Sequence, residues 1–241
     1  MEEARVLLAG DSAVTVQFGE TIAPEIYAKV KSLKQALEKI QLRGIIETIP
    51  TYRSLMVQYD PLVLSYGELA TKLQELALLP SENKQECKEV ITLPILFGGE
   101  VGPDLDNVAE YHQTTPEKII ELACSKDMLI YMLGFTPGYP YIGDIPEGLI
   151  TPRLDSPRVK VPADTMGVGG NQLGVYSVDS PGGFRLLGKT PVHLYDIVRG
   201  DKAVLLKAGA YIRFKAINRA EYDAIAAQVA AGTYVCPGTE G

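Results

Sequence analysis

The chain has 241 residues, 46% of them hydrophobic and 22% charged, which is the composition of a folded protein of one or two domains. Its formal net charge is −7 and its basic residues are scattered, which argues against a surface for nucleic acid or for an anionic membrane. No apolar run approaches the ~18 to 20 residues of a membrane-spanning helix, and the first residues do not resemble a signal peptide. Three distant cysteines and two isolated histidines predict neither a disulfide framework nor a metal site, so we expect a cytoplasmic protein without bound metal.

The first part of the chain alternates strand-like and helix-like patterns and is predicted to form an N-terminal domain over residues 1–85. Its order of elements predicts an α+β sandwich of the ferredoxin-like kind, with the helices on one face of a sheet. A polar segment, 81–89, is interpreted as the linker that follows it. The predicted strands are 5–9, 13–18, 45–49 and 54–59, and the predicted helices are 22–42 and 65–79.

The remaining residues, 86–241, are predicted to form a β-barrel domain with a C-terminal helix. Between 134 and 191 the chain holds 11 glycines and 8 prolines, and these interrupt apolar runs in the way that corners interrupt the short strands of a barrel. The other predicted elements are a strand at 89–97, a helix after Asp104, a helix starting at Pro116 with Thr115 as its cap, strands at 192–198, 203–207 and 211–216, and a last helix at 219–231 between Asn218 and Gly232.

One segment, Gly183 to Thr190, matches the G-x-x-x-x-G-K-[ST] pattern of a phosphate-binding loop. Such a loop needs a helix that starts at the Lys-Thr pair, because the helix N-terminus must point at the phosphate. Here Pro191 follows, and the next residues alternate between apolar and polar as in a strand. We therefore interpret 184–187 as a β-strand that ends in a Gly-Lys-Thr-Pro turn.

Longer motifs carry a family resemblance. They are YMLGFTPGYPYIG at 131–143, TPRLDSPRVKVPA at 151–163, GVGGNQLGVY at 167–176 and SPGGFRLLGKTP at 180–191. In this order they resemble the family of 5-oxoprolinase B subunits, also called allophanate hydrolase subunit 1, which includes a sporulation kinase inhibitor. The resemblance covers about residues 5–215.

The resemblance implies a ferredoxin-like N-terminal domain followed by a cyclophilin-like β-barrel. It implies work with two partner proteins, subunits A and C, in a complex that uses ATP to open the lactam ring of 5-oxoproline and release glutamate. The ATP site can lie on a partner. Two alternatives stay open: inhibition of a sporulation-type histidine kinase, and carboxyl transfer to urea- or allophanate-like amides. Relatives often have a histidine where this chain has Ala123, so the catalytic residues stay unassigned.

Five of the candidate substrate-binding residues are aromatic or amide side chains. Phe135, Tyr139 and Tyr141 lie among glycines and prolines, where they can wall a pocket for a flat lactam or seal one end of the barrel. Asn171 and Gln172 follow two glycines, and they can present amide groups to an oxyanion or complete a tight turn.

The other two candidates are arginines. Arg153 and Arg158 offer planar guanidinium groups that suit a carboxylate such as that of 5-oxoproline. The alternative for each is an ion pair with Asp155 or Asp164. Asp164 itself can serve as an acid–base group or cap a turn. We interpret Lys189 and His193 as structural.

Overall fold

In the computed structural model the chain divides into two compact units, Met1–Glu86 and Cys87–Gly241. The structure describes residues 4–79 and 89–238, so most of the predicted linker lies outside the described residues. Within these two ranges, no helix is long and apolar enough to cross a membrane.

The N-terminal unit is a four-stranded antiparallel sheet with two helices. The alternating strand pattern buries Leu55 and Val57, and the helical repeat buries Val30 and Leu33. The elements are β1 (Arg5–Leu8), β2 (Ala13–Gln17), α1 (Pro24–Ile40), β3 (Ile45–Pro50), β4 (Ser54–Tyr59) and α2 (Tyr66–Ala77). The strands pair in the order β1-β2-β4-β3.

The second unit is built on a closed barrel of seven strands, which confirms the barrel predicted from the glycine and proline pattern. The elements are β5 (Val90–Phe97), α3 (Leu105–Tyr111), α4 (Pro116–Ala123), β6 (Met128–Leu133), β7 (Pro140–Ile142), β8 (Arg158–Val161), β9 (Thr165–Gly169), β10 (Gln172–Tyr176), β11 (Ser180–Gly182), β12 (Arg185–Lys189), β13 (Tyr211–Ala216) and α5 (Arg219–Ala230). The order around the barrel is β10-β7-β6-β13-β5-β12-β9, and β8 and β11 form a separate two-stranded sheet.

The phosphate-loop pattern is a barrel strand. Lys189 ends β12, where it pairs with Leu96 on one side and Thr165 on the other. No helix begins at Lys189 or Thr190. The strand begins and ends slightly later than the predicted 184–187. Because it pairs with barrel strands on both sides, this segment is not a nucleotide-binding loop.

The predicted strands at 192–198 and 203–207 are wrong. This region forms a single bridge between Tyr195 and Val204, followed and preceded by turns, and Ile197–Lys202 is a short 3-10 segment. The side chain of Asp196 accepts a hydrogen bond from the amide of Val198, which starts this segment. The apolar alternation was misleading because Ile197 and Val198 are exposed instead of buried.

Candidate functional site

An aromatic cluster lies against the glycine-rich strands of the barrel. Tyr139 is at its centre, with ring centroids 5.4 Å from Phe135, 5.2 Å from Tyr141 and 5.4 Å from Tyr176, all in edge-to-face contact. Tyr176 continues the series to Phe184 at 6.3 Å. Edge-to-face pairs of this kind stabilise a fixed arrangement of the rings.

The glycines of β9, β10 and β11 make room for these rings. A Cβ atom at Gly174 would collide with the hydroxyl of Tyr139, and one at Gly182 would collide with the hydroxyl of Tyr176. At Gly169 it would lie 2.5 Å from Cδ1 of Phe184. Close approach of a ring to the backbone therefore explains glycine inside these strands, where it is otherwise unfavourable.

The cluster separates the predicted aromatic candidates by exposure. Tyr139 is 3% exposed, so its ring seals the side of the barrel. Phe135 is 58% exposed and Tyr141 is partly exposed, which leaves both able to contact a ligand or a partner. Phe135 also has a left-handed backbone, with φ of 64°. A positive φ is uncommon for a bulky residue, and here it directs the chain through the turn between β6 and β7.

The strand pairing places the candidates at two opposite ends of the barrel. At one end, which we call the arginine end, Gly169 pairs with Gln172 and Val168 pairs with Arg185. At the other, which we call the histidine end, β9 begins just after Asp164, β10 ends and β12 ends. Four residue steps along β10 separate the two ends, which corresponds to about 13 Å. A molecule the size of 5-oxoproline cannot contact both ends at once.

Arg153 lies at the arginine end and is exposed. Its Cζ atom lies 5.0 Å from the centroid of the Phe184 ring, and a Cβ atom at Gly169 would be 3.0 Å from its Cγ. Stacking on an aromatic face fixes a guanidinium plane while leaving its N–H groups available. Within residues 4–79 and 89–238, no carboxylate lies within ion-pair distance of Arg153.

Arg158 is in an ion pair, but with a different partner from those expected. Its Nη2 lies 2.7 Å from Oδ1 of Asp104, so the predicted pairing with Asp155 or Asp164 is wrong. The second oxygen of Asp104 accepts a 2.6 Å hydrogen bond from the amide of Leu186. Asp104 is far away in sequence, in the loop before α3, and no local pattern indicates this contact. Arg158 is therefore committed to a structural bond.

Asn171 and Gln172 lie at the turn between β9 and β10. Gly170 has φ of 67°, the left-handed conformation that a two-residue hairpin requires, and its amide donates to the carbonyl of Thr151. Asn171 is exposed. The Oε1 atom of Gln172 is buried and has no hydrogen-bond partner among the described residues. The bridge from Gly170 to Thr151 brings this turn beside the segment that carries Arg153.

The histidine end holds an arrangement that the sequence analysis missed. Nδ1 of His193 lies 2.7 Å from Oδ2 of Asp164, whose side chain is 5% exposed, whereas that of His193 is 58% exposed. The other carboxylate oxygen accepts from the amide of Leu194. Burial raises the pKa of Asp164, while the hydrogen bond and charge of His193 and the charge of Lys189 act against that rise.

A buried carboxylate that holds Nδ1 of a histidine leaves Nε2 free to accept or donate a proton. Asp164 adopts φ of 63°, a conformation that is costly for a residue other than glycine. The two residues are 29 apart in sequence, so spacing alone does not reveal the pair. The positive φ of Asp164 has no clear sequence signal either. The pair of Asp164 and His193 lies at the other end of β10, about 13 Å along the strand, so it is not part of a site built on Arg153.

Tyr176, the last residue of β10, lies close enough to two arginines for their charges to act on its hydroxyl. Burial raises the pKa of Tyr176, and the charges of Arg153 and Arg158 act in the opposite direction. Among the described residues, no group of three or more His, Cys, Asp or Glu side chains is placed to hold a metal ion. The arginine end can therefore bind an anion through guanidinium and amide groups, but it lacks an evident nucleophile.

Comparison with known proteins first defines the class. Residues 4–206 match the family described as "Carboxyltransferase domain, subdomain C and D". The fold is similar to that of part of the urea amidolyase of K. lactis, which superposes on 97% of this chain with a TM-score of 0.79 at 20% identity. The chain spans 16% of that protein.

Relatives of higher identity define the particular family. The 5-oxoprolinase B subunit of Bacillus subtilis (strain 168) is 34% identical over 229 residues, which are 89% of this chain and 93% of that protein. The chain belongs to the family of 5-oxoprolinase B subunits. The crystal structure of the protein TTHA0988 superposes with a TM-score of 0.74 at 33% identity over 86% of this chain. The chain spans 40% of the length of TTHA0988.

Proposed function

We propose that this protein is the B subunit of an ATP-dependent 5-oxoprolinase, which hydrolyses 5-oxoproline to L-glutamate together with subunits A and C in the cytoplasm. The observation that carries the proposal is the likeness of nearly the whole chain to nearly the whole of the B. subtilis protein. ATP is used by the complex, and we place its site on a partner because the one phosphate-loop pattern of this chain is a strand.

The geometry of the arginine end suits half of such a site. Arg153 is exposed and lies over the Phe184 ring, so it can take the carboxylate of 5-oxoproline through two parallel N–H bonds. Asn171 and Gln172 lie on the neighbouring turn and supply amide groups. A lactam is an unstrained amide, and the arginine end by itself offers no group to activate it. The partner proteins would complete the site, and the exposed ring of Phe135 and the partly exposed ring of Tyr141 can contact them.

The finer description of the fold is also a proposal. We assign residues 1–85 to a ferredoxin-like domain and 86–241 to a cyclophilin-like barrel domain. The first unit has the element order β-β-α-β-β-α. Moving the last strand of a ferredoxin-like β-α-β-β-α-β chain to its start gives the same order, which supports a permuted version of that fold.

The test is ATP-dependent glutamate release from 5-oxoproline by the purified protein with and without subunits A and C. We expect no turnover by this chain alone and turnover by the three proteins together. Arg153→Ala should raise the KM for 5-oxoproline, and Arg199→Ala, which removes another surface arginine from the 3-10 segment, should not. Turnover by the isolated chain, or a KM unchanged by Arg153→Ala, would contradict the proposal.

Carboxyl transfer to a urea-like amide is a second candidate, because the matching family is described as a carboxyltransferase domain. It requires a biotin-bearing partner. Incubation of the three-protein complex with carboxybiotin and urea, followed by detection of carboxylated product, separates it from lactam hydrolysis. Inhibition of a histidine kinase remains a prediction, which a pull-down with a kinase dimerisation domain tests.

A further inference from the structure

The two histidines of the chain are held in opposite tautomers. Nδ1 of His193 lies 2.7 Å from the carboxylate of Asp164, which only accepts hydrogen bonds, so the proton of the neutral ring is on Nδ1. His112 is the reverse case, because its Nε2 lies 3.0 Å from Oγ1 of Thr151, a hydroxyl that donates its own proton to the carbonyl of Leu149. Nε2 of His112 therefore carries a proton, whereas Nε2 of His193 carries a lone pair.

The lone pair of His193 faces solvent from a ring with a fixed direction. Within the part of the chain that the structure describes, Nε2 of His193 has no hydrogen-bond partner. The carboxylate behind the ring also accepts from the amide of Leu194, and the backbone of Asp164 bonds to Tyr176 and to Thr190. These bonds hold Asp164 in its left-handed conformation, and they hold Nδ1 of the imidazole against a buried carboxylate.

An ammonium group without an ion pair lies near this ring. The charge of Lys189 acts on the carboxyl groups of Asp164 and Asp179. Both carboxylates have other partners, since Asp164 holds His193 and Asp179 lies 2.7 Å from Nζ of Lys160. Among the described residues, no carboxylate is within ion-pair distance of Lys189. Its charge is therefore available to an anionic group at the histidine end.

We propose that His193 is a phosphoryl-acceptor site, which is modified at Nε2 by phosphoramidates, donors that contain a phosphorus–nitrogen bond. A fixed imidazole with a free lone pair is a nucleophile, and the charge of Lys189 favours an anionic electrophile. General base catalysis would need a substrate fixed against the ring, and the side chain of His193 is largely exposed to solvent instead. The proposal concerns the histidine end alone and does not depend on the proposed function.

The step is a phosphoryl transfer from nitrogen to nitrogen. The lone pair of Nε2 forms a bond to phosphorus, and the phosphorus–nitrogen bond of the donor breaks, with its electron pair leaving on ammonia. The ring keeps its proton on Nδ1 and becomes positively charged, and the carboxylate of Asp164 stabilises that charge. One phosphorus–nitrogen bond replaces another, so the step needs no further source of energy.

The first test is incubation of the purified protein with phosphoramidate, followed by ³¹P NMR and by mass spectrometry of its peptides. We expect one phosphoryl group, on Nε2 of His193. His193→Gln should abolish it, and His112→Gln, which keeps a donor for Thr151, should leave it unchanged. A free peptide of residues 188–198 contains the same histidine without Asp164 and should react about 10- to 100-fold more slowly. Equal rates for peptide and protein, or modification of His112 instead of His193, overturn the proposal.

The second test separates the role of each neighbour of the ring. Asp164→Asn should slow the modification by about 10- to 100-fold, while ¹⁵N shifts of the ring show the proton on Nε2. Lys189→Gln should slow it about two- to fivefold, and Lys118→Gln, which removes a lysine of α4, should not. Circular dichroism checks that each variant is folded, and the histidine variants decide the question if Asp164→Asn is not. An unchanged rate in folded Asp164→Asn overturns the proposal.

Discussion

The Asp104 carboxylate joins three segments of the barrel unit, and its removal should have a large effect on stability. One oxygen bonds to Nη2 of Arg158 at 2.7 Å and the other accepts from the amide of Leu186 at 2.6 Å. In Asp104→Ala both bonds are lost. The amide of Leu186 is then buried without an acceptor, since Leu186 is only 4% exposed.

The expected loss can be worked out from the two bonds. A buried donor without a partner costs about 1–3 kcal/mol. The ion pair adds about 1 kcal/mol, the value for pairs at the surface, because the side chain of Arg158 is 30% exposed and solvent screens its charge. Asp104→Ala should therefore lower the free energy of unfolding by about 2–4 kcal/mol. Asp104→Asn keeps an acceptor for Leu186 and should cost about 1 kcal/mol.

The assay is urea unfolding followed by circular dichroism, with amide hydrogen exchange of Leu186 as the local measurement. Exchange should accelerate strongly in Asp104→Ala and weakly in Asp104→Asn. The melting temperature of the barrel unit should fall by about 5–15 °C in the alanine variant, at about 2–4 °C per kcal/mol for a unit of this size. Equal losses in the two variants would refute the assignment of the larger part to the Leu186 amide.

Three further predictions concern other parts of the barrel unit. Gly174→Ala forces a methyl group into Tyr139 and should destabilise the protein by about 1–3 kcal/mol in urea unfolding, and Gly174→Ala combined with a smaller residue at position 139 should recover part of the loss. Asp164→Asn should shift His193 from the tautomer with its proton on Nδ1 to the one with its proton on Nε2, because an amide N–H can donate to Nδ1. The ¹⁵N chemical shifts of the ring distinguish the two tautomers, and an unchanged tautomer would contradict the prediction. Burial raises the pKa of the Cys236 thiol from 9.0 to about 11. The contribution of this thiol to stability is therefore complete below pH 9, and about 2–3 kcal/mol is lost as the pH rises toward 11. Cys236→Ala should remove that decline from the urea midpoints measured across this pH range.

Local sequence patterns predicted most of the fold. The helical repeat of α1, the cap residues Thr115 and Asn218, and the glycine-rich corners all describe interactions between residues close in sequence. The error at 192–198 has the same origin, because apolar alternation cannot reveal that Ile197 and Val198 face solvent. Whether a residue is buried depends on the rest of the fold, so the apolar period of a short segment does not show which of its residues are buried.

The candidate site was predicted less completely. The residue types were reasonable, yet their grouping depends on which strand ends meet, and no spacing in the sequence shows that Gln172 and Arg185 lie at the same end of the barrel. Asp104 was missed because its bond to Arg158 spans 54 residues. The pair of Asp164 and His193 depends on a turn whose backbone is left-handed without glycine. Contacts between segments far apart in sequence form only in the folded barrel, so local sequence patterns do not predict them.

The rings that pack against the barrel glycines limit which substitutions this protein can accept during evolution. Tyr139 fills the space where Gly174 would carry a side chain, and Tyr176 does so for Gly182. A larger residue cannot replace the glycine while the tyrosine remains, and loss of the tyrosine first leaves a void that destabilises the barrel. Each glycine and its tyrosine are therefore expected to be inherited as a pair, so that diverging lineages keep both or exchange both.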